Sequence, residues 1–304
     1  MKKGNNGSKS KLNSNSDILF NIINYTFLFF CFLVVVFPLL NVVSQSLSSP
    51  KAVAAGRVWF WPVEPTLVAY QKILGSRQLL MGFYNSFIYT FFGTMINVVL
   101  SVMAAYPLSR KDFYGRQFII SIFVFTMMFS GGMIPTYLLI KNLGFIDTRW
   151  AMIIPNALTV WNVMLARTFF QNTIPVELYE ASELDGASDM DIITKVVIPL
   201  SAPILAVLTL FYAVGHWNSY FSGLLYLKSQ NLMPLQVVLR NLMSSVDLIQ
   251  NMLGPISKEQ AEMLSLIEVM KYAIIVFASI PVIMLYPVVQ KHFVKGVMIG
   301  SIKG

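Results

Sequence analysis

Six carboxylates, Glu177, Glu180, Glu183, Asp185, Asp189 and Asp191, fall within fifteen positions of a 304-residue chain that has only 14 acidic residues. Paired carboxylates can do general acid–base work, and clustered ones can present a negative face to a basic partner. Acid–base or metal chemistry needs converging company that this sequence does not supply. There are two histidines, His216 and His292, far apart in sequence, and one cysteine, Cys31, inside an apolar block. That excludes a disulfide within the chain, a cysteine metal site and a His-rich set, so no metal or catalytic residue is expected. The segment GNNGSKSK near the N-terminus resembles a phosphate loop in composition only; the G-x-x-x-x-G-K-[ST] spacing is absent, and no nucleotide hydrolysis is expected of this chain. Anionic lipid headgroups would repel the acids. A basic protein surface suits them.

The elements that must position this cluster follow from composition. At 56% hydrophobic and 12% charged residues, the chain is far from a soluble domain with roughly 25% charged residues. Its apolar residues come in blocks of the length that a bilayer-crossing helix needs, about 20 residues. Six such blocks are read at 18–45, 84–109, 117–140, 150–171, 202–226 and 266–290, predicting an all-α integral membrane protein. The first is too long for a signal core and has no evident cleavage site, so it reads as a retained anchor. Six spans put both termini on one side, and the modest excess of Lys and Arg there predicts a cytoplasmic location. The expected organisation is a disordered basic tail at 1–16, a membrane domain at 17–291 and a cytoplasmic tail at 292–304.

The cluster lies in the connector 172–200, NTIPVELYEASELDGASDMDIITKVVIPL, between the fourth and fifth blocks. Pro175 opens a helix, and Glu177 falls in its first turn, where a carboxylate complements the helix dipole. Leu178, Ala181 and Leu184 recur at helical spacing, predicting an apolar face beside Tyr179. Gly186 stops the helix, Ser188 starts a second with Asp189 and Asp191 in its first turn, and Pro199 is expected to end it.

Polar groups are sparse inside the blocks. Asn97, Asn156, His216, Asn218 and the aromatic Trp217 and Tyr220 are candidates for lining a pathway, alongside Asn85 and Asn162. Breaks are expected at Gly131, Gly132, Pro135, Pro155, Pro203, Pro281 and Pro287. Two long outer loops remain, 46–83 and 227–265. Trp59, Phe60 and Trp61 in the first read as an interfacial aromatic belt, with Pro62 and Pro65 opposing helix. In the second, a helix starts at Ser257.

Glu180-Ala181-Ser182, then Gly186, then Val196-Val197-Ile198-Pro199 match, position by position, the pattern E-A-A, three residues, G, nine residues, I-x-L-P. The chain thereby resembles the membrane subunits of binding-protein-dependent ABC importers, with Ser182, Val196 and Ile198 as conservative departures. The likeness covers nearly everything after residue 16. It is strongest to the maltose-type carbohydrate permeases and the branch linked with complex oligosaccharides such as pectin or uronate fragments. FSGGMIPTYLLIKNLGFIDTRWAMIIP, HWNSYFSGLLYL, MPLQVVLR and HFVKGVMIGSIKG carry it. The resemblance implies the type I importer permease fold with six transmembrane helices and a cytoplasmic coupling helix.

By the same resemblance, Glu177, Tyr179, Glu180, Ala181, Ser182, Glu183, Asp185 and Gly186 contact a cytoplasmic ATPase. The tail, through Gly296, Gly300 and Lys303, reaches the ATPase dimer. Asn251, Met252, Leu253, Gly254 and Pro255 probe a sugar-binding protein outside the membrane. Partners are then a second permease, the ATPase dimer and the binding protein. The chain holds no cofactor, ATP and magnesium residing in the ATPase, and the location is a prokaryotic cell membrane. Three rivals stand beside this reading. A membrane enzyme lacks converging groups. A secondary transporter would often show repeats and intramembrane charges, where only Glu268 and Lys271 lie near a span core. A permease for a non-sugar solute such as a peptide is left open by the coupling pattern alone.

Overall fold

The computed structural model describes residues 15–252 and 258–300. Every regular element among them is helical and none is a strand. The apolar blocks predict this, because hydrocarbon offers no water to an open backbone and a helix satisfies its own N–H and C=O groups. The described residues form two compact units, 15–69 with 258–276 and 70–252 with 277–300.

In the first unit, α1 (Asn15–Ser46) continues through Pro38 for 32 residues, about 48 Å at 1.5 Å per residue. Its large apolar side chains from Ile18 to Leu40 are mostly exposed within the chain. Ser49 caps the short α2 (Pro50–Ala54), and the stretch 56–67 is not helical. Asn41 donates its amide to the Trp59 carbonyl at 2.8 Å, and the Ser44 hydroxyl donates to the Phe60 carbonyl at 2.5 Å. The Phe60 ring meets Phe37 edge-on at 4.7 Å. These bonds hold the loop against α1 while Trp59 and Trp61 stay 64% and 82% exposed, as an interfacial belt requires.

The second unit is built around α4 (Arg77–Ser109), which follows α3 (Val68–Gly75). Between helices in lipid the hydrophobic effect gives little drive, so close packing and hydrogen bonds must hold them. The α4 sequence meets that need with a buried stripe of small or amide residues, Gly82, Ser86, Gly93, Asn97, Ser101 and Ala105. Against it pack α8 (Val160–Thr173), α12 (Ala202–Trp217) and α14 (Leu235–Met252). One core joins Ala105, Tyr106 and Leu108 of α4 to Val163, Ala166 and Phe170 of α8 and to Ile204, Leu208 and Tyr212 of α12.

All six expected blocks fold largely as helix, but among the described residues three are single helices long and apolar enough to cross a bilayer: Asp17–Ser46, Arg77–Ser109 and Gln260–Pro287. The third block divides into α5 (Arg116–Met128) and α6 (Met133–Asn142), bent by 112° where Gly131 and Gly132 predict a break. The fourth divides at Pro155 into α7 (Trp150–Ile153), a 3₁₀ turn and α8. At 14 residues, α8 reaches only about 21 Å, short of the roughly 30 Å of hydrocarbon. The fifth breaks at Asn218, with α13 (Tyr220–Tyr226) beyond.

Three expectations are corrected. Pro281 and Pro287 interrupt nothing: α15 (Lys258–Gly300) runs through both, its first part in one unit and its remainder in the other. The break assigned to Pro203 falls at Ser201, ahead of α12, where a bend of 84° follows. The loop 227–265 contains α14, which the sequence reading did not anticipate. Leu235 and Val238, buried on α4, and Leu242 recur at helical spacing and are the signal for it. Ser257 lies outside the described residues.

Candidate functional site: the connector and a polar cavity

The acidic connector folds as two short helices, α9 (Val176–Leu184) and α10 (Asp189–Ile192). Pro175 occupies the N-cap of α9 in extended conformation, and Glu177 lies in the first turn. At the other end Gly186 has φ +77°, its N–H bonds to the Glu183 carbonyl, and the Ala187 N–H reaches back to Ser182. This pair of bonds is the Schellman arrangement, which needs a left-handed residue where Gly186 stands. Nothing lies within 4 Å of a Cβ built there, so the requirement is backbone conformation and not space.

Ser188 then makes a full capping box with Asp191. Hydrogen bonds from Lys195, at 2.6 Å, and from Ser188 hold the Asp191 carboxyl down at about 2. Pro199 does not end the second helix. A π turn over Ile193–Val197 lets the Ile198 N–H bond to Ile193, and helix continues as α11 (Ile198–Leu200) before the bend at Ser201. A π turn is a recognised way to absorb such a disruption inside a helix.

The apolar face expected on α9 points the other way. Leu178 is 40% and Leu184 89% exposed, and Ala181 is exposed too, while Tyr179 is buried in the core with Ile174 and Ile192. The Arg110 guanidinium lies 4.6 Å from the Tyr179 ring centroid and donates to Glu183 at 2.5 Å. It also donates twice to Asp112 at 3.0 Å, which holds the Asp112 carboxyl below its ordinary range. The six acids thus divide. Glu183 is tied to Arg110, Asp189 accepts from the Tyr106 hydroxyl at 3.2 Å, and Asp191 caps its helix. Glu177, Glu180 and Asp185 are exposed. The Ser182 hydroxyl donates within the helix to Leu178.

A second concave region lies in the helix bundle, a cavity of about 440 Å³ among α4, α8, α12 and α13. It brings together five of the expected pathway residues, Asn97, Asn156, Asn162, His216 and Asn218, and adds Thr159, Tyr212, Ser219 and Ser222 with Phe211 and Phe221. Asn97 donates its amide to the Asn156 carbonyl at 2.8 Å, and its oxygen lies 3.5 Å from His216 Nε2. The Ser101 and Tyr212 hydroxyls meet at 2.6 Å. No Asp, Glu, Lys or Arg lines the cavity among the described residues. Ser219 Oγ is buried with no hydrogen-bond partner among them.

Trp217 and Tyr220 are not in this lining. Trp217 donates its ring N–H to the Ala278 carbonyl at 2.9 Å and packs on Phe83. Helical phase explains the sorting: Tyr212 and His216 share a face of α12 one turn apart, and Trp217 is a neighbour in sequence pointing elsewhere. His216 owes its position to Gly93, because a Cβ there would stand 2.4 Å from Nε2. On another edge, the Asp147 carboxylate accepts from the Lys228 and Ser229 N–H groups at 2.8 Å and from the Ser229 hydroxyl, which together hold it below its ordinary range. Of the remaining site residues, Asn251, Met252, Gly296 and Gly300 have helical backbone but their side chains lie outside the described residues; Leu253, Gly254, Pro255 and Lys303 lie outside them altogether.

An all-helical membrane bundle with an exposed, acid-bearing helix between two spans, closed by a glycine turn, defines a transport-system membrane component. Residues 79–299 match the family model of the binding-protein-dependent transport system inner membrane component, and the chain belongs to that family. It is 40% identical over 286 residues to the polygalacturonan/rhamnogalacturonan transport system permease protein YtcP of Bacillus subtilis, covering 94% of this chain and 99% of that one. It is 36% identical over 296 residues to Protein LplC of the same organism, covering 96% and 97%. Its fold matches a solved bacterial ABC transporter involved in import of the acidic polysaccharide alginate, with TM-score 0.84 and 37% identity over 93% of this chain and all of that one. The chain is therefore an ABC importer permease and not itself an enzyme.

Proposed function

We propose that this permease conducts an oligosaccharide, as the polygalacturonan/rhamnogalacturonan permease and the alginate importer that it resembles suggest. A second, similar permease would complete the pathway, a separate ATPase dimer would supply ATP and magnesium, and an extracytoplasmic binding protein would deliver the sugar. Both termini and the connector would face the cytoplasm. The observation that carries this reading is the construction of α9. One side is seated on the core through Tyr179, the other presents Glu177, Glu180, Leu178, Ala181 and Leu184 outward, and Gly186 fixes where it ends. Exposed carboxylates around an apolar stripe fit a groove with a basic rim. Closure of the ATPases would push α9 and open the bundle outward; release would return it.

The cavity suits a sugar in general, while no Lys or Arg in its described lining pairs with the carboxylates of an acidic one. Amides, hydroxyls and two phenyl rings without a fixed charge suit the hydroxyls and apolar faces of sugar rings, and Asn218 would be one donor. A peptide solute finds no support among the relatives described. The test is uptake of labelled oligogalacturonide by cells carrying Gly186→Pro. Proline cannot adopt φ +77°, so uptake should vanish while the protein remains in the membrane. Undiminished uptake by that variant would count against the docking role.

A further inference from the structure

Ahead of α9 the route into the bundle is interrupted by the π turn Ile193–Val197 and the 84° bend at Ser201. Behind it, α8 reaches the cavity unbroken at Asn162, but it is only 14 residues long and ends there, short of the 3₁₀ turn at Ile154–Asn156. By contrast, α4 runs unbroken for 33 residues from Arg77 to Ser109. Its connector end grips both short helices: Tyr106 donates to Asp189, and Arg110 donates to Glu183 while covering Tyr179. The same end is braced to α8, since Arg167 Nε donates to the Leu108 carbonyl at 2.9 Å and Gln171 Nε2 to that of Ser109 at 3.1 Å. Asn97 of α4, which reaches the polar cavity, lies 13 residues earlier, about 20 Å along the helix axis.

We propose that α4 is the strut that carries motion of α9 to the cavity, and that Arg110 is the positioning residue fastening the two. An ordinary surface ion pair contributes little and breaks readily. The Arg110 side chain differs, being only 17% exposed, forked onto two carboxylates and stacked on a buried ring. A guanidinium held in that way fixes direction as well as distance, which a lysine cannot do. Glu183 is therefore tied to its own chain although half-exposed, and docking falls chiefly to the exposed Glu177 and Glu180.

This inference rests on the docking role of α9, so the experiment separates the two. The full transporter, with its ATPase and binding protein, is reconstituted carrying Arg110→Gln, Arg110→Lys, Glu183→Gln or Gly186→Pro. Sugar uptake, ATP hydrolysis and retention of the ATPase are measured on each. With Arg110→Gln and Glu183→Gln, the ATPase should stay bound and hydrolysis continue, while uptake per ATP falls about tenfold, a typical coupling between sites. Arg110→Lys should fall between these and the wild type. Glu183→Gln keeps shape and size at a half-exposed carboxylate, so it should fold normally and tests the idea even if Arg110→Gln does not. A wild-type uptake-to-hydrolysis ratio in Glu183→Gln, with Gly186→Pro inactive, would overturn the strut and leave docking intact. Activity in Gly186→Pro as well would overturn docking itself.

Discussion

Gly186 and Asp191 show how single residues set the connector. At φ +77° a side chain costs roughly 1–2 kcal/mol of strain, and no neighbour crowds the site. Gly186→Ala should thus lower helix stability by about 1 kcal/mol and weaken uptake, whereas Gly186→Asn, tolerant of left-handed backbone, should do less harm; uptake assays on the pair check the order. Asp191 titrates at about 2, below its unfolded value near 4. Its contribution is present above pH 4 and disappears as pH falls through about 2. Amide exchange at the start of α10, corrected for intrinsic rate, should speed up across that window and should be insensitive to it in Asp191→Asn. These local features were legible in the sequence because caps and glycine turns obey short-range rules. The inward face of α9 was not. An apolar stripe normally marks the side packed on the chain's own core, yet here Leu178 and Leu184 stay open and the aromatic Tyr179 is inside.

At the scale of elements, α4 holds the bundle by close approach. Gly82 faces Val238 and the Leu235 backbone, and Gly93 faces His216. Gly93→Ala forces a Cβ to within 2.4 Å of the His216 ring, an overpacking that costs typically about 1–3 kcal/mol. It should lower the melting temperature in detergent and reduce uptake, and Gly75→Ala, with nothing within 4 Å, serves as the control. Helix existence was readable from the long apolar blocks, but continuity was not. Gly131 and Gly132 did break a helix, Pro281 and Pro287 did not, because a proline in lipid is tolerated or not according to its neighbours. Helix α14 was missed because its apolar residues recur on one face among polar ones, so it shows no continuous apolar block of the kind by which the spans were read.

For the whole molecule, the proposed transport role joins the cavity and the connector. The neutral cavity predicts that Asn218→Ala weakens sugar uptake about fivefold, as loss of one hydrogen bond of roughly 1 kcal/mol would, with ATP hydrolysis unchanged; transport assays over sugar concentration check it. The class of protein was legible because the E-A-A pattern and its glycine have a long, fixed spacing and lie between two apolar blocks, and the family match bears the class out. Which polar residues converge was only half legible: Asn97 and His216 meet through tertiary packing around Gly93, and Trp217 left the group through helical phase. The most direct measurement is purification of this permease from gently solubilised membranes, identification of the chains that accompany it, and transport by the recovered assembly. A second permease and an ATPase, with sugar transport that needs ATP, are the predicted result. Recovery of this chain alone, moving solute in vesicles without ATP, would contradict the account.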